Sequence, residues 1–241
     1  MGHPFDDELT TALAESSVAP PPAGLRADTL ARALSHRPAG RPVNAPTPCT
    51  PDEALRRTVE DLRELLDSLT DREWTVPAHP EHGRVRDVVA HLVGVERLVA
   101  RWLDPDDEVP PYPDHLAATR PVVAELSGAD PGHLITLWYA AARALIEVAA
   151  TGDRSRPTTF HDLTVGIDAL LTMHMAELWA HGVDIATATG RPLLRLDAER
   201  IAGLSGSLVA AVPDALAYRG RVAPDRTVRF VLTGPAGGVY T

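Results

Sequence analysis

Covalent crosslinks and positive charge are both scarce in this sequence. Its 241 residues include one cysteine, Cys49, so no disulfide can form within the chain. Lysine is absent, and the 23 basic residues, all arginine, are outnumbered by 33 acidic residues, for a formal net charge of −10. Proteins that bind nucleic acid need clustered positive charge to neutralise phosphates, so this balance argues against a nucleic-acid partner.

Long hydrophobic runs are missing as well. No uninterrupted apolar segment approaches the roughly 20 residues that cross a bilayer, and the N-terminus, MGHPFDDELTT, has neither a basic start nor an apolar signal core. We therefore expect a cytoplasmic protein with no membrane partner. The hydrophobic content of 44% is sufficient for a proper core in a chain of this length.

Proline is distributed unevenly along the chain. Nine of the 22 prolines lie in the first 51 residues, where only residues 25–36, LRADTLARALSH, have a helical apolar rhythm. Residues 1–49 are accordingly predicted to form a flexible, Pro-rich extension with one short helix. Cys49 lies at the end of this segment, in NAPTPCTPDE, and is interpreted as an incidental thiol in a linker.

Residues 50–195 are predicted to form an all-α, antiparallel four-helix bundle. The first helix starts in TPDEALRRTVEDLRELLDSL, where Thr50 is a suitable N-cap and Pro51 a suitable first helical residue. The second and third helices correspond to RVRDVVAHLVGVERLVARWL and PGHLITLWYAAARALIEVAATGD, with a short helix over 118–126 between them. The fourth helix is predicted from near Thr164 to before Gly190, after a loop, DRSRPTTFHDL. Short connections favour antiparallel packing of these helices.

The C-terminal segment changes character after residue 195. DAERIAGLSGSLVAAVPDALAYRG has a helical pattern, whereas RTVRFVLTGPAGGVYT alternates apolar and polar residues before a Gly-Pro turn. That alternation is typical of a strand entering a hairpin. We therefore predict that residues 196–241 begin a short, incomplete α+β domain.

One face of the fourth helix combines apolar residues with residues that could bind a metal. His174, Glu177 and His181 are spaced three and four residues apart, which places them within an arc of about 60° on the core side. Burying a carboxylate without a partner costs several kcal/mol, and a divalent metal would satisfy Glu177 and both neutral imidazoles. His91, on the core edge of the second helix, is the predicted third ligand. The predicted ligand set is therefore His91, Glu177 and His181.

The roles of the neighbouring polar residues are left open by the spacing. His174 could be a fourth ligand, a proton shuttle or a residue that orients a ligand, or it could form an ordinary buried hydrogen-bonded pair with Glu177. Asp184, one turn after His181, is predicted to fix an imidazole tautomer or to pair with an arginine. We name His174 and Asp184 as candidate catalytic residues. Solvated side chains are expected for the remaining histidines: His3, His36, His79, His82, His115, His133 and His161.

Three stretches of the chain are similar to a known family. RDVVAHLVGVERL, ELWAHGVDIATATGRPL and the tail VRFVLTGPAGGVYT resemble the mycothiol-dependent maleylpyruvate isomerase family, one of the DinB-like metal-binding four-helix bundles. The resemblance implies a divalent metal, usually zinc, held by His91, Glu177 and His181. This sequence departs from the family's usual pattern before the second helix. Family members usually have Gly-Trp-Thr-Val there, whereas this chain has Gly83 followed by Arg84 and Val85.

The resemblance also implies a reaction. Three protein ligands leave an open metal position, as in catalytic zinc sites. Because Cys49 is poorly placed as a nucleophile, a thiol cosubstrate is expected, which in this family is mycothiol, the small thiol of actinobacteria. The function implied is a metal-dependent isomerase or thiol S-transferase acting on a small electrophilic substrate. The protein could also form a homodimer, as is common in this group. The alternative is a non-catalytic DinB-like metal-binding sensor or protein-interaction module.

Overall fold

Four long helices dominate the fold, as the hydrophobic periodicity predicts. The computed structural model describes residues 46–104, 115–154, 156–160, 163–221, 227–234 and 236–240. The long helices are α1 (Pro51–Asp67), α2 (Val85–Leu103), α4 (Pro131–Thr151) and α5 (Ile167–Thr189), and a shorter helix, α3 (His115–Glu125), separates α2 from α4. The all-α class is therefore confirmed, while the predicted extension, including its helix over 25–36, lies outside the described residues.

Local sequence signals explain where these helices begin. The Thr50 side chain accepts a hydrogen bond from the backbone N–H of Glu53 at 3.3 Å, and Pro51 occupies the first turn of α1. Asp130 caps α4 in the same way, through the N–H of His133 at 3.0 Å. The N-terminal caps predicted from Thr50 and Pro51 are thus confirmed.

The core lies between two helix pairs. α1 packs against α5, α2 packs against α4, and α3 covers α2. The apolar face predicted for α1 is buried, as are most of the corresponding residues of α2; the fully buried side chains include Leu55, Val59, Leu62, Leu66, Val88 and Leu92. Burial of these side chains at about 25 cal/mol per Å² of apolar surface is the main stabilising contribution to the bundle.

Helix α4 is the most apolar of the four. Its length and composition alone would let it cross a membrane, although core helices of other proteins share both properties. Leu134, Trp138 and Leu145 of this helix are fully buried and belong to the same core as the other helices. We therefore describe α4 as a core helix of the bundle.

Two short hairpins precede the helices that carry the candidate ligands. β1 (Pro77–His79) pairs antiparallel with β2 (Gly83–Arg84) just before α2. β3 (Pro157–Phe160) pairs antiparallel with β4 (Leu163–Gly166) just before α5. The prediction of a loop for DRSRPTTFHDL was therefore wrong, because its β-branched threonines pair with the next segment as a strand. For the same reason α5 begins at Ile167 rather than near Thr164.

The C-terminal segment contains two further helices, α6 (Ala198–Ala210) and α7 (Val212–Tyr218), and a small antiparallel pair, β5 (Phe230–Val231) with β6 (Val239–Tyr240). Arg200 of α6 donates to Thr58 Oγ1 at 3.0 Å and to Asp61 Oδ2 at 2.7 Å, both on α1. Residues 44–241 form one compact unit. Whether residues 196–241 begin a separate domain stays a prediction.

Candidate metal centre

The start of α2 is arranged so that His91 faces the core. Gly83 has a φ of 95°, a conformation that favours glycine, and it is the first residue of β2, two residues before α2 begins. The Asp87 carboxylate then accepts a hydrogen bond from the N–H of Arg84 at 3.0 Å, which caps the helix. His91 follows one helical turn after Asp87, and its side chain is 1% exposed.

The three predicted ligands meet at one carboxylate oxygen. Glu177 Oε1 lies 3.5 Å from His91 Nε2 and 3.3 Å from His181 Nε2. One donor atom from each residue lies within 4.8 Å of the others, a spacing that a single metal ion could bridge. Helix periodicity on α5 and packing of α5 near α2 therefore bring together the residues that the sequence singles out.

The three ligands differ in exposure. The side chains of His91 and His181 are 1% and 7% exposed, whereas that of Glu177 is 30% exposed. The exposed part of Glu177 is therefore on the far side of the carboxylate, because Oε1, the oxygen that faces the two imidazoles, is buried.

Hydrogen bonding defines the orientation of His91. Its Nδ1 lies 2.8 Å from the buried Oγ1 of Thr119, on α3. The Thr119 hydroxyl also lies 3.4 Å from the carbonyl of Leu116, and when it donates there its oxygen accepts the Nδ1 proton of His91. In this tautomer Nε2 carries a lone pair that is directed at Glu177.

Asp184 stands in a similar relation to His181. Its Oδ2 lies 3.4 Å from His181 Nδ1, one helical turn along α5. A carboxylate oxygen therefore lies near each ring nitrogen of His181, Asp184 Oδ2 beside Nδ1 and Glu177 Oε1 3.3 Å from Nε2. The tautomer-fixing role of Asp184 stays a prediction, and the arginine pairing considered as its alternative is not among the ion pairs of the described residues.

This donor set fits a divalent cation. Two imidazole nitrogens lie 3.5 and 3.3 Å from one carboxylate oxygen, so the three atoms could coordinate a single divalent cation, whose charge would offset that of the carboxylate. Two imidazole nitrogens and one carboxylate are also a common ligand set for zinc. His91, Glu177 and His181 could therefore hold such an ion.

His174 lies apart from this centre. Its Nε2 hydrogen-bonds Glu96 Oε2 at 2.8 Å, and the other oxygen of Glu96 accepts from Trp138 Nε1 at 3.2 Å. Burial lowers the pKa of His174, but the charge and hydrogen bond of Glu96 outweigh burial and leave the pKa raised. The hydrogen-bonding partner of His174 is therefore Glu96 rather than Glu177, which the spacing had suggested. Among the described residues, two groups of side chains could hold a metal ion, and His174 belongs to neither.

Sequence reasoning missed Glu96 because nothing in its spacing marks it. It lies on α2 in VGVERL, and its burial depends on Trp138 of α4 and His174 of α5. The available signal for its burial was the presence of a carboxylate within a strongly apolar helix.

The prediction of solvated side chains was wrong for His79 and His82. Both are half-buried in the β1–β2 hairpin. The His82 ring stacks on His91, with ring centroids 3.9 Å apart, and lies 5.0 Å from the His181 ring. His79 lies 5.4 Å from His181. The sequence signal for this arrangement was HPEH, residues 79–82, just before α2. A tight turn at this point would place both imidazole rings beside the start of the helix.

Burial and nearby imidazoles control the charge of His82. Burial, together with His91, His181 and His79, lowers the pKa of His82 from 6.5 to about 3. His82 is therefore neutral near pH 7 and has a nitrogen lone pair available. By contrast, His133 is exposed on α4, as predicted.

A family model covers the part of the chain that contains this centre. The family model for the mycothiol maleylpyruvate isomerase N-terminal domain matches residues 55–186, more than half of the chain. The chain belongs to this family. In this chain the matched residues run from α1 to α5, and they include His91, Glu177 and His181.

Comparisons with individual proteins give the same fold. Crystal structures of mycothiol-dependent maleylpyruvate isomerase and of a point mutant superpose with TM-scores of 0.56 and 0.57 at 16% identity, covering 79% of this chain and 78% of theirs. Two uncharacterized proteins from strains of Mycobacterium tuberculosis are 24% identical over 193 residues, covering 78% of this chain and 74% of theirs. The superpositions establish a common helical fold.

Proposed function

We propose that this protein is a metal-dependent, mycothiol-using isomerase or thiol S-transferase that acts on a small electrophilic substrate. The convergence of His91 Nε2 and His181 Nε2 on Glu177 Oε1 is the observation that carries the proposal. Membership of the mycothiol maleylpyruvate isomerase N-terminal domain family supports mycothiol as the thiol. Two imidazoles and one carboxylate are a common ligand set for Zn²⁺, although they also accept nickel, iron or manganese.

Each residue of the centre has a distinct task in this proposal. His91 and His181 would hold the ion through Nε2, with Thr119 and Asp184 orienting their rings. Glu177 would complete the ligand set at its solvent-facing side. A divalent ion held there would lower the pKa of a thiol that binds it and so supply a thiolate near neutral pH.

The same thiolate serves either reaction. In isomerisation its sulfur would add to a carbon–carbon double bond conjugated to a carbonyl, and the π electron pair would move to the carbonyl oxygen as an enolate. The resulting single bond would rotate, and return of that pair would expel the thiolate and restore the double bond in the other configuration. In transfer the sulfur displaces a leaving group, which departs with the bonding electron pair. Asp184 would keep His181 oriented during both, whereas His174 would support Glu177 indirectly by bracing α5 against Glu96.

The proposal is tested by turnover of Zn²⁺-loaded protein with mycothiol and maleylpyruvate, followed by a panel of electrophiles for conjugation. We expect His181→Ala and Glu177→Ala to lose turnover, because each removes a metal ligand. His133→Ala, which changes an exposed histidine on α4, should retain full turnover. Turnover that survives in His181→Ala would contradict the proposed role of the centre.

The alternative function, a metal-binding sensor or interaction module, is favoured by one observation. The His82 ring lies over His91, so the hairpin occupies space beside the imidazole ligands. In that case the protein would bind the ion tightly yet convert none of the electrophiles tested with mycothiol.

A further inference from the structure

The β1–β2 hairpin supplies imidazoles that the ligand set described above does not use. His79, His82 and His181 form a second group whose ligand atoms lie within 4.8 Å of one another. This group shares His181 with the group of His91, Glu177 and His181. An ion bound to His181 is therefore close to an imidazole from the hairpin.

The two hairpin histidines differ in which nitrogen they can offer. His79 Nδ1 accepts hydrogen bonds from the backbone N–H groups of Glu81 at 3.2 Å and of His82 at 3.3 Å. An accepting Nδ1 requires the proton of the neutral ring to lie on Nε2, which leaves His79 without a free lone pair. His79 therefore stabilises the turn that carries His82.

His82 is better placed to bind an ion. Its ring is inclined by only 30° to that of His91. Its ring lies 5.0 Å from the His181 ring at an angle of 79°, which is close to the 5.5 Å and 78° between the rings of His91 and His181, the two predicted imidazole ligands. The His82 ring is half-buried against the rings of His91 and His181.

We propose that His82 is an additional ligand of the divalent cation in this centre, and that His79 is a positioning residue that holds the turn presenting it. This inference rests on the proposed metal centre of His91, Glu177 and His181. Three imidazoles and one carboxylate would complete a tetrahedral zinc site. An incoming thiol would then raise the coordination number to five or take the place of one imidazole.

Matched variants separate ligation from packing. His82→Phe keeps an aromatic ring over His91 but has no nitrogen, and His82→Ala removes the ring as well. His79→Asn removes the imidazole, while its side-chain oxygen can still accept N–H groups at the start of the turn. His133→Ala is the control for loss of an exposed histidine.

Two measurements on tag-free protein test the proposal: the Zn²⁺ dissociation constant, by competition with a chromophoric chelator, and the visible spectrum of the Co²⁺ form. Removing a group that merely orients a ligand weakens metal binding about 10–100-fold, and we expect losses at least this large for both His82 variants. Their Co²⁺ spectra should also change, because a ligand is lost. His79→Asn and His133→Ala should resemble the unmodified protein in both measurements.

The possible failures are distinguishable. If both His82 variants bind Zn²⁺ as tightly as His133→Ala and give the unmodified Co²⁺ spectrum, His82 is not a ligand, although the proposed function stands. If His79→Asn is as damaging as the His82 variants, the positioning role of His79 is wrong. If the unmodified protein binds neither ion, both this inference and the proposed function fail.

Discussion

Helix α5 carries two acid–imidazole groups within two turns, and they are built differently. His174 meets Glu96 at 2.8 Å, with both side chains at most 2% exposed. His91 and His181 meet Glu177 at 3.5 and 3.3 Å, and Glu177 is 30% exposed. The first group is a closed pair whose members satisfy each other. The second is spaced for an ion, and its carboxylate residue is partly exposed.

This difference shows how identical residue types acquire different functions. The Glu96 carboxylate receives hydrogen bonds from two helices, α4 and α5, and so joins them to α2. The Glu177 carboxylate instead faces two imidazoles whose Nδ1 atoms are directed at Thr119 and Asp184. We therefore expect changes to the first group to alter stability and changes to the second to alter metal binding.

The largest effect is expected for Glu96→Ala. Removing one member of a buried ion pair leaves the other without compensation, which costs about 3–5 kcal/mol. Urea unfolding of metal-free protein measures this loss, with Glu147→Ala on the exposed side of α4 as the control. An unfolding free energy close to that of the control would mean that the pair does not brace the bundle.

Removing the metal should lower the unfolding free energy of the unmodified protein by an amount comparable to that expected for Glu96→Ala. An ion that binds only the folded state adds about 4 kcal/mol when its free concentration is a thousandfold above Kd. Thermal unfolding with and without a chelator should show this difference for the unmodified protein and no difference for Glu177→Gln. A chelator effect that persists in Glu177→Gln would place the stabilising ion elsewhere.

A smaller effect is expected for Thr119→Val, which preserves side-chain shape but removes the hydrogen bond to His91 Nδ1. Loss of such an orienting partner weakens metal binding about tenfold or more. Zn²⁺ competition titration measures the change, and Thr136→Val on an exposed face of α4 is the matched control. Equal affinities in the two variants would show that Thr119 does not orient His91.

The smallest expected effect is a change of stability with pH. The pKa of His174 is raised above 6.5, so its contribution to stability is fully present below about pH 6.5 and is lost as pH rises through the folded-state pKa. Chelated unmodified protein should therefore lose more unfolding free energy between neutral and alkaline pH than Glu96→Gln. Parallel pH profiles would contradict a raised pKa.

Helix periodicity was sufficient to predict the bundle and to bring Glu177 and His181 to the core with His91. Those predictions depend on spacing within single helices, which the sequence displays directly. The β3–β4 hairpin was missed because two four-residue strands leave little pattern. The positions of His79 and His82 depend on how a tight turn folds back on α2, which apolar periodicity does not encode.

Burial of Glu96 could not be predicted for a related reason. Its hydrogen-bond partners, Trp138 and His174, come from two other helices, and only packing reveals that they meet. The cytoplasmic location and the homodimer stay predictions, because they concern surroundings of the folded chain.

Elemental analysis of the protein purified without a His tag tests the central claim most directly. The account predicts one divalent ion per chain, retained on gel filtration or restored by Zn²⁺ titration, and none in Glu177→Ala. An unmodified protein that contains no metal and binds none on titration would contradict it.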